Sequence, residues 1–335
     1  MNAWRDRPIF ICGHPKSGTT LLRALLDSHP QLLVYPDETF FFRGFLPEIR
    51  NLSFDEKLSL AQRYILHFFT SPLTSEVENP IDGRDSYVMY AEACEAMRQI
   101  LKPESFRHNG DLLYAAIYAF GQVHKLVSSE TLYWVEKTPY NEHFASIIYA
   151  WWPEARCIQV VRDPRDNYAT YHRKHSGLAV EEFTESWKAS LKAGIHNLEK
   201  FGTQRYLIIR YEELTQNPEG KLGEIIAFLG IRDADTLRTP TNKGVLWEGN
   251  SMFADRFSAI SSKPLGRWKS VLSSEEIGVI ELVCGNWMKR MGYPLANRPS
   301  LKPGFRVLSW KAKQTARLPG ELVNTVRKRF GVLPQ

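Results

Sequence analysis

Residues 8–20 read PIFICGHPKSGTT, and no other stretch limits the possible folds as much. PIFIC is an apolar run short enough for a buried strand, and it ends in glycine. Leu21, Leu22, Leu25 and Leu26 then recur at helical spacing through 19–29. Strand, glycine-bearing loop and helix start are the context a phosphate loop requires. Backbone N–H groups of 16–20 would face an anion at a helix N-terminus, where the macrodipole favours negative charge. Thr19 and Thr20 add hydroxyl donors. The usual nucleotide loop, G-x-x-x-x-G-K-[S/T], has lysine directly after its second glycine. Here Thr19 follows Gly18, and the lysine is Lys16.

The same alternation returns later. Strands are expected at 131–136, 156–161 and 206–210. Helices are expected at 141–152, 165–175, 181–201, 218–229 and 274–291. Strands separated by helices imply parallel pairing with both faces covered. The expected fold is α/β: a P-loop-containing parallel β-sheet flanked by helices. Between 40 and 130 the pattern changes to three amphipathic helical stretches, within 53–69, 86–101 and 111–127, read as a helical cap or insertion. Residues 71–86 read as loop, and 230–270 as irregular.

A second anion pocket is readable at VVRDPRDNYATYH, 160–172. Arg162 ends a strand, and its planar fork suits a phosphate. Thr170 lies on the following helix and can donate to the same group. Taken alone, pairing of Arg162 with Asp163 or Asp166 is the simpler reading.

Together these segments resemble the PAPS-dependent sulfotransferases, PAPS being 3′-phosphoadenosine-5′-phosphosulfate. The resemblance covers residues 8–293. It implies that Lys16, Ser17, Gly18, Thr19 and Thr20 hold the 5′-phosphosulfate, and Arg162 and Thr170 the 3′-phosphate. IIRYEEL, 208–214, resembles the strand end whose tyrosine lies near the adenine, here Tyr211. GRWK, 266–269, resembles a segment that closes over the nucleotide with a basic residue, here Arg267. The position of the lysine then has a physical reason. A triphosphatase neutralises phosphoryl charge with lysine and Mg²⁺ together. A sulfuryl group carries less charge, so a lysine beside the bridging oxygen can stabilise the leaving phosphate with no metal required. No aspartate ends an apolar strand as a metal-binding acid would; Asp163 sits in a proline turn.

A hydroxyl acceptor needs a base. Glu38, in VYPDETFFF, matches the E-T element of the tyrosylprotein and glycan-modifying branches, with Asp37 as the alternative. A partly buried carboxylate there can take the hydroxyl proton. Phe40–Phe42 would form an apolar wall. Lys137, in VEKTPYNEHF, resembles the family's E-K-[TS]-P lysine, which implies contact with the sulfuryl group or bridging oxygen. The plain alternative pairs it with Glu136 or Glu142. The small-molecule branch tends to use histidine as base, and His14, His29 and His143 do not fit its pattern.

Charge narrows the partners. The net charge is +6. Residues 300–335 hold eight Lys or Arg against the single acid Glu321, leaving the rest of the chain close to neutral. The body is therefore not a nucleic-acid binder on charge grounds. The expected division is a sulfotransferase domain over 1–299, with 40–130 as an acceptor-side insertion, and a basic tail over 300–335. The tail, with Trp310 and Phe330, reads as a solvated extension or as a peripheral contact with anionic lipid. Cys12, Cys94, Cys157 and Cys284 are widely spaced in apolar runs, which implies reduced core thiols. No signal peptide or 18-residue apolar run is present, so a cytoplasmic enzyme is expected.

The acceptor itself is not legible. Tyr64, Phe68, Phe69, Tyr87, Tyr90, Tyr114 and Tyr118 could line its pocket, and a glycan or glycolipid hydroxyl is preferred over a protein tyrosine or small metabolite. Two other readings compete: a small-molecule P-loop kinase using ATP–Mg²⁺, and a non-catalytic nucleotide-dependent binding module.

Overall fold

The computed structural model describes residues 3–69, 84–175, 177–249, 251–257, 259–296, 303–304 and 306–310. The chain opens with β1 (Pro8–Cys12), α1 (Thr19–Leu26) and β2 (Leu32–Val34). Three helices follow: α2 (Phe54–Ile65), α3 (Ser86–Ile100) and α4 (Gly110–Val123). Then come β3 (Tyr133–Lys137), α5 (Ala145–Trp151), β4 (Arg156–Val161), α6 (Pro164–Lys174), α7 (Val180–Phe201) and β5 (Tyr206–Arg210). The C-terminal half ends with α8 (Tyr211–Gln216), α9 (Pro218–Leu229), the β6–β7 hairpin (Thr241–Asn242, Val245–Leu246), α10 (Trp268–Val271) and α11 (Ser274–Arg290).

The five strands form one all-parallel sheet, in the order β2-β3-β1-β4-β5. Every residue of β1 is buried, as a parallel strand covered on both faces must be. Its side chains alternate. Phe10 and Cys12 enter one apolar cluster with Leu33, Trp134, Cys157 and Tyr206, beneath α2–α4 and α5. Ile9 and Ile11 enter the opposite cluster with Val135, Ile158, Ile209 and the leucines of α1 and α9.

The expected strands and helices are all present, with ends shifted by a few residues. The strand β2, the short helices α8 and α10 and the β6–β7 hairpin come in addition. The strand β2 is only three residues long, too brief for a periodic signal. The β6–β7 hairpin lies in the stretch expected to be irregular and is tied to Asp27. That carboxylate accepts from the Thr241 hydroxyl at 2.7 Å and the Gly244 amide at 3.0 Å. The stretch 141–152 opens as a 3-10 turn, Asn141–Phe144, before α5. All four cysteines are buried and free. Of the basic tail, Arg306 is held by Glu181 and Glu275, whereas 311–335, including Phe330, lies outside the described residues. Among the described residues no helix is long and apolar enough to cross a membrane.

The strand order reverses direction at β1, with β3 on one side and β4 on the other. In an open parallel sheet the crevice beyond the strand C-termini at such a switch is where ligands bind.

Candidate active site

The phosphate loop leaves β1 at Gly13, whose φ is +132°. A Cβ there would lie 2.3 Å from the Val160 carbonyl oxygen, so the loop passes too close to β4 for a side chain. Lys16 itself takes a left-handed conformation, φ +65°. Such strain in a non-glycine residue persists only where surroundings over-determine it. One anchor is Glu142, whose carboxylate accepts the Gly13 amide at 2.9 Å and the Ser190 hydroxyl of α7. The Ser17 amide closes the turn by donating to the His14 carbonyl.

The C-termini of β1, β3, β4 and β5 and the segment after β2 converge there. A cavity of about 430 Å³ is lined by Lys16, Gly18, Thr19, Thr20, Glu38, Arg162, Thr170, Tyr211 and Arg267. Nine of the eleven residues singled out from sequence thus share one space. Ser17 and Lys137 do not line it. Ser17 is fully buried, and its hydroxyl has no partner. Lys137 is only 4% exposed and lies behind Glu38, to which its Nζ donates at 2.6 Å. That pair replaces the plain alternative of pairing with Glu136 or Glu142.

Arg162 is 5% exposed. Its guanidinium donates to the Thr170 hydroxyl at 3.4 Å and to the Lys16 and Pro264 carbonyls. It sits 4.8 Å from the centre of the Tyr211 ring. Its Nε is buried with no partner. The simpler pairing with Asp163 does not occur, because Asp163 binds Arg165 at 2.6 Å and Arg165 also binds Glu281. Asp166 is used differently. Its carboxylate accepts the Gly266 amide at 2.7 Å and the Trp268 amide at 3.0 Å, fastening the GRW segment to α6. Arg267 pairs with Asp255 at 2.6 Å and lies over Phe253. The Tyr211 ring fills the space beside Gly18, where a Cβ would come within 2.3 Å of it.

The electrostatics of the loop are cationic. Burial lowers the Lys16 pKa below the usual ammonium range; Lys174 and Lys137 add to this, and Glu38 opposes it. A less firmly held proton makes a stronger hydrogen-bond donor to an incoming anion.

Glu38 is positioned by a buried carboxylate that the sequence reading left unused. Glu136 accepts from the Thr39 hydroxyl at 2.8 Å, the Asn141 amide at 2.7 Å and the Thr138 hydroxyl. The Thr138 hydroxyl in turn accepts the Thr39 and Phe40 amides. Burial raises the Glu136 pKa to about 7 against the lowering effect of those donors.

Several expectations are corrected here. Asp37 does not line the cavity; it caps the Glu38 amide and lies 4.0 Å from His67. Of Phe40–Phe42, only Phe40 reaches the cavity, because Phe41 and Phe42 are drawn into the core beside Phe10 and Phe144. None of the seven aromatic residues proposed for the acceptor pocket lines the cavity. Phe68, Phe69 and Tyr114 are buried where α2–α4 pack on the sheet, and Tyr87 is 63% exposed. Phe40 and Arg43 are the described residues of 40–130 at the cavity, while 230–270 contributes three further rings, Trp247, Phe253 and Phe257. Nothing in the apolar pattern of 230–270 marks those rings. Tyr140, Tyr171, Lys174 and His175 also line the cavity and were missed. Lys174 is the one a spacing argument could have found, one helical turn beyond Thr170. His14 is buried, its Nδ1 donating to the Pro15 carbonyl at 3.0 Å and lying 3.2 Å from Asn167 Oδ1, and burial lowers its pKa to about 4.

Comparison with known proteins bears on the family and the fold. The sulfotransferase family model matches residues 8–235. Protein-tyrosine sulfotransferase A of Caenorhabditis elegans is 24% identical over 303 residues, covering 87% of this chain and 69% of that protein. Carbohydrate sulfotransferase 1 of Mus musculus is 27% identical over 171 residues, covering 42% of this chain and 39% of that protein. The sulfotransferase domain of the Synechococcus PCC 7002 olefin synthase superposes with a TM-score of 0.56 at 21% identity, over 87% of this chain and 96% of that domain. That likeness establishes the shared α/β fold. With the family match spanning most of the chain, the chain is an enzyme of the sulfotransferase family.

Proposed function

We propose that the chain transfers the sulfuryl group of PAPS to a hydroxyl acceptor. The observation that carries this reading is the convergence of Lys16, Gly18, Thr19 and Thr20 of the loop, the Arg162–Thr170 pair and Glu38, backed by Lys137, on one cavity. The cavity fits such a donor. Arg162 lines the cavity, and its Nε is a buried donor with no partner among the described residues, which a bound phosphate group would satisfy. Thr19, Thr20, Arg162 and Thr170 would hold the donor's phosphates, and Tyr211 and Arg267 its nucleoside end. The bound donor supplies the sulfuryl group and leaves as adenosine 3′,5′-bisphosphate. Lys16, with its weakened hold on its proton, stabilises charge on the departing phosphate. Glu38, which lines the cavity, accepts the hydroxyl proton. Lys137 holds that carboxylate in place from behind, so its role is to orient the base. The tyrosine and carbohydrate sulfotransferases among the relatives support a hydroxyl acceptor, and a carbohydrate hydroxyl is the preferred one.

The test uses labelled PAPS with an extract of the host cell as acceptor pool. Wild type is expected to label acceptors; Lys16→Ala and Glu38→Gln are expected to lower turnover by about 10²–10⁴-fold. Near wild-type turnover in both variants overturns the mechanism. Tight binding of ATP–Mg²⁺ in place of adenosine 3′,5′-bisphosphate, by calorimetry, would favour a kinase.

A further inference from the structure

The cavity holds more positive charge than a donor alone uses. Lys16, Arg43, Arg162, Lys174 and Arg267 line it, and Glu38 is the single acid among its lining residues. Four of the cations are tied to the donor side: Lys16 in the phosphate loop, Arg162 and Arg267 as above, and Lys174 near enough to Lys16 to repel its charge. Arg43 stands apart. It lies five residues after Glu38, on the segment that carries the base.

How the backbone delivers Arg43 there is unusual. Residues Phe41–Phe45 form a single turn of π-helix, a form concentrated at functional sites. Phe40, just before it, is in the left-handed region at φ +47°, and Tyr140 across the cavity is there at φ +71°. Bulky aromatic residues are rare in that region, and their strain persists only when neighbouring structure enforces it. The two strained residues share Arg43: its guanidinium carbon is 4.7 Å from the Phe40 ring centre and 5.5 Å from the Tyr140 ring centre. Both rings also line the cavity. The guanidinium forms no ion pair among the described residues. A planar cation fixed between two rings, half-buried and with no counter-ion among the described residues, is a preorganised fork for an oxyanion.

We infer that Arg43 is a specificity residue, and that the acceptor carries an anionic group (carboxylate, phosphate or sulfate ester) beside the hydroxyl it offers to Glu38. This rests on the proposed sulfuryl transfer. Arg43 would bind the acceptor's anion in both ground and transition states, so its loss acts mainly on KM. A neutral hydroxyl compound would leave the guanidinium unpaired in a closed site, which is how such a site rejects it.

The experiment combines product identification with a donor-binding control. Wild type is incubated with labelled PAPS and host-cell extract, and labelled products are identified by mass spectrometry after loss of SO₃. The acceptors are expected to carry at least one anionic group. Toward the principal acceptor so identified, Arg43→Gln is expected to raise KM at least tenfold with a smaller change in kcat, and Arg43→Lys to recover part of the loss. Calorimetry with adenosine 3′,5′-bisphosphate should give the same affinity for Arg43→Gln as for wild type. Neutral acceptors overturn the inference, as does a loss of bisphosphate affinity in Arg43→Gln equal to that in Lys16→Ala. Bisphosphate binding with no labelled product from any pool is a different result: it removes the transfer reading itself, and this inference with it.

Discussion

Glu136→Gln isolates the cost of a charge placed under the base-bearing segment. The Glu136 carboxyl is 1% exposed, and burial raises its pKa from the ordinary 4.5 to about 7. The folded chain therefore keeps this proton over a range in which the unfolded chain has released it. Between pH 4.5 and 7 the folded state binds more protons, so stability falls as pH rises through that window and levels off above it. A shift of this size corresponds to about 3 kcal/mol across the window, at about 1.4 kcal/mol per pH unit. Glutamine keeps an acceptor for Thr39 and Thr138 and carries no charge, though its amide would face the Asn141 amide now donating to Glu136. That mismatch costs a similar amount at every pH. The assay is urea unfolding of wild type and Glu136→Gln at pH 5 and pH 8. The stability difference between them should change by about 2–3 kcal/mol in the variant's favour on going to pH 8. Parallel pH dependence in the two proteins would refute the reasoning, because the carboxyl would then ionise alike in folded and unfolded chains.

Two further substitutions test the donor side. Gly18→Ala puts a methyl group 2.3 Å from Tyr211 Cδ2 at a φ of +105°, so adenosine bisphosphate affinity should fall at least tenfold by calorimetry; an unchanged affinity would mean that Tyr211 does not shape the nucleotide site. Asp166→Ala removes the acceptor of the Gly266 and Trp268 amides, and stopped-flow displacement should show the bisphosphate leaving several-fold faster, with an unchanged off-rate counting against a closing role for that segment.

The proposed donor side of this protein is written locally, and that is why it was legible. Lys16 to Thr20 are contiguous, and Arg162 and Thr170 are one strand end and two helical turns apart, so strand and helix geometry alone brings them together. Tyr211 and Arg267 each directly follow or begin a recognisable element. The proposed acceptor side is written differently. Arg43 reaches the cavity through a π turn and a left-handed Phe40, neither of which leaves a periodic trace. Trp247, Phe253 and Phe257 belong to a stretch with no regular structure, placed by contacts such as Asp166 with Gly266 rather than by pattern. The helical aromatics misled for the converse reason: their spacing is that of core residues, and core is where Phe68, Phe69 and Tyr114 lie. Lys137 shows a third case. Its position at a strand end was readable, but its partner Glu38 lies 99 residues away and only tertiary packing makes the pair.

The two walls of the cavity hang from separate buried carboxylates. Glu142 carries the phosphate loop through the Gly13 amide and is braced by Ser190 of α7; Glu136 carries the base segment through Thr39 and Thr138. Neither hydrogen-bond set includes a residue of the other. On the proposed assignment, substitutions within 40–45 alter the wall beside Glu38 without removing a partner of the Glu142 carboxylate. A different acceptor would then call for new side chains on the segment that Glu136 holds, with the loop that Glu142 holds left as it is.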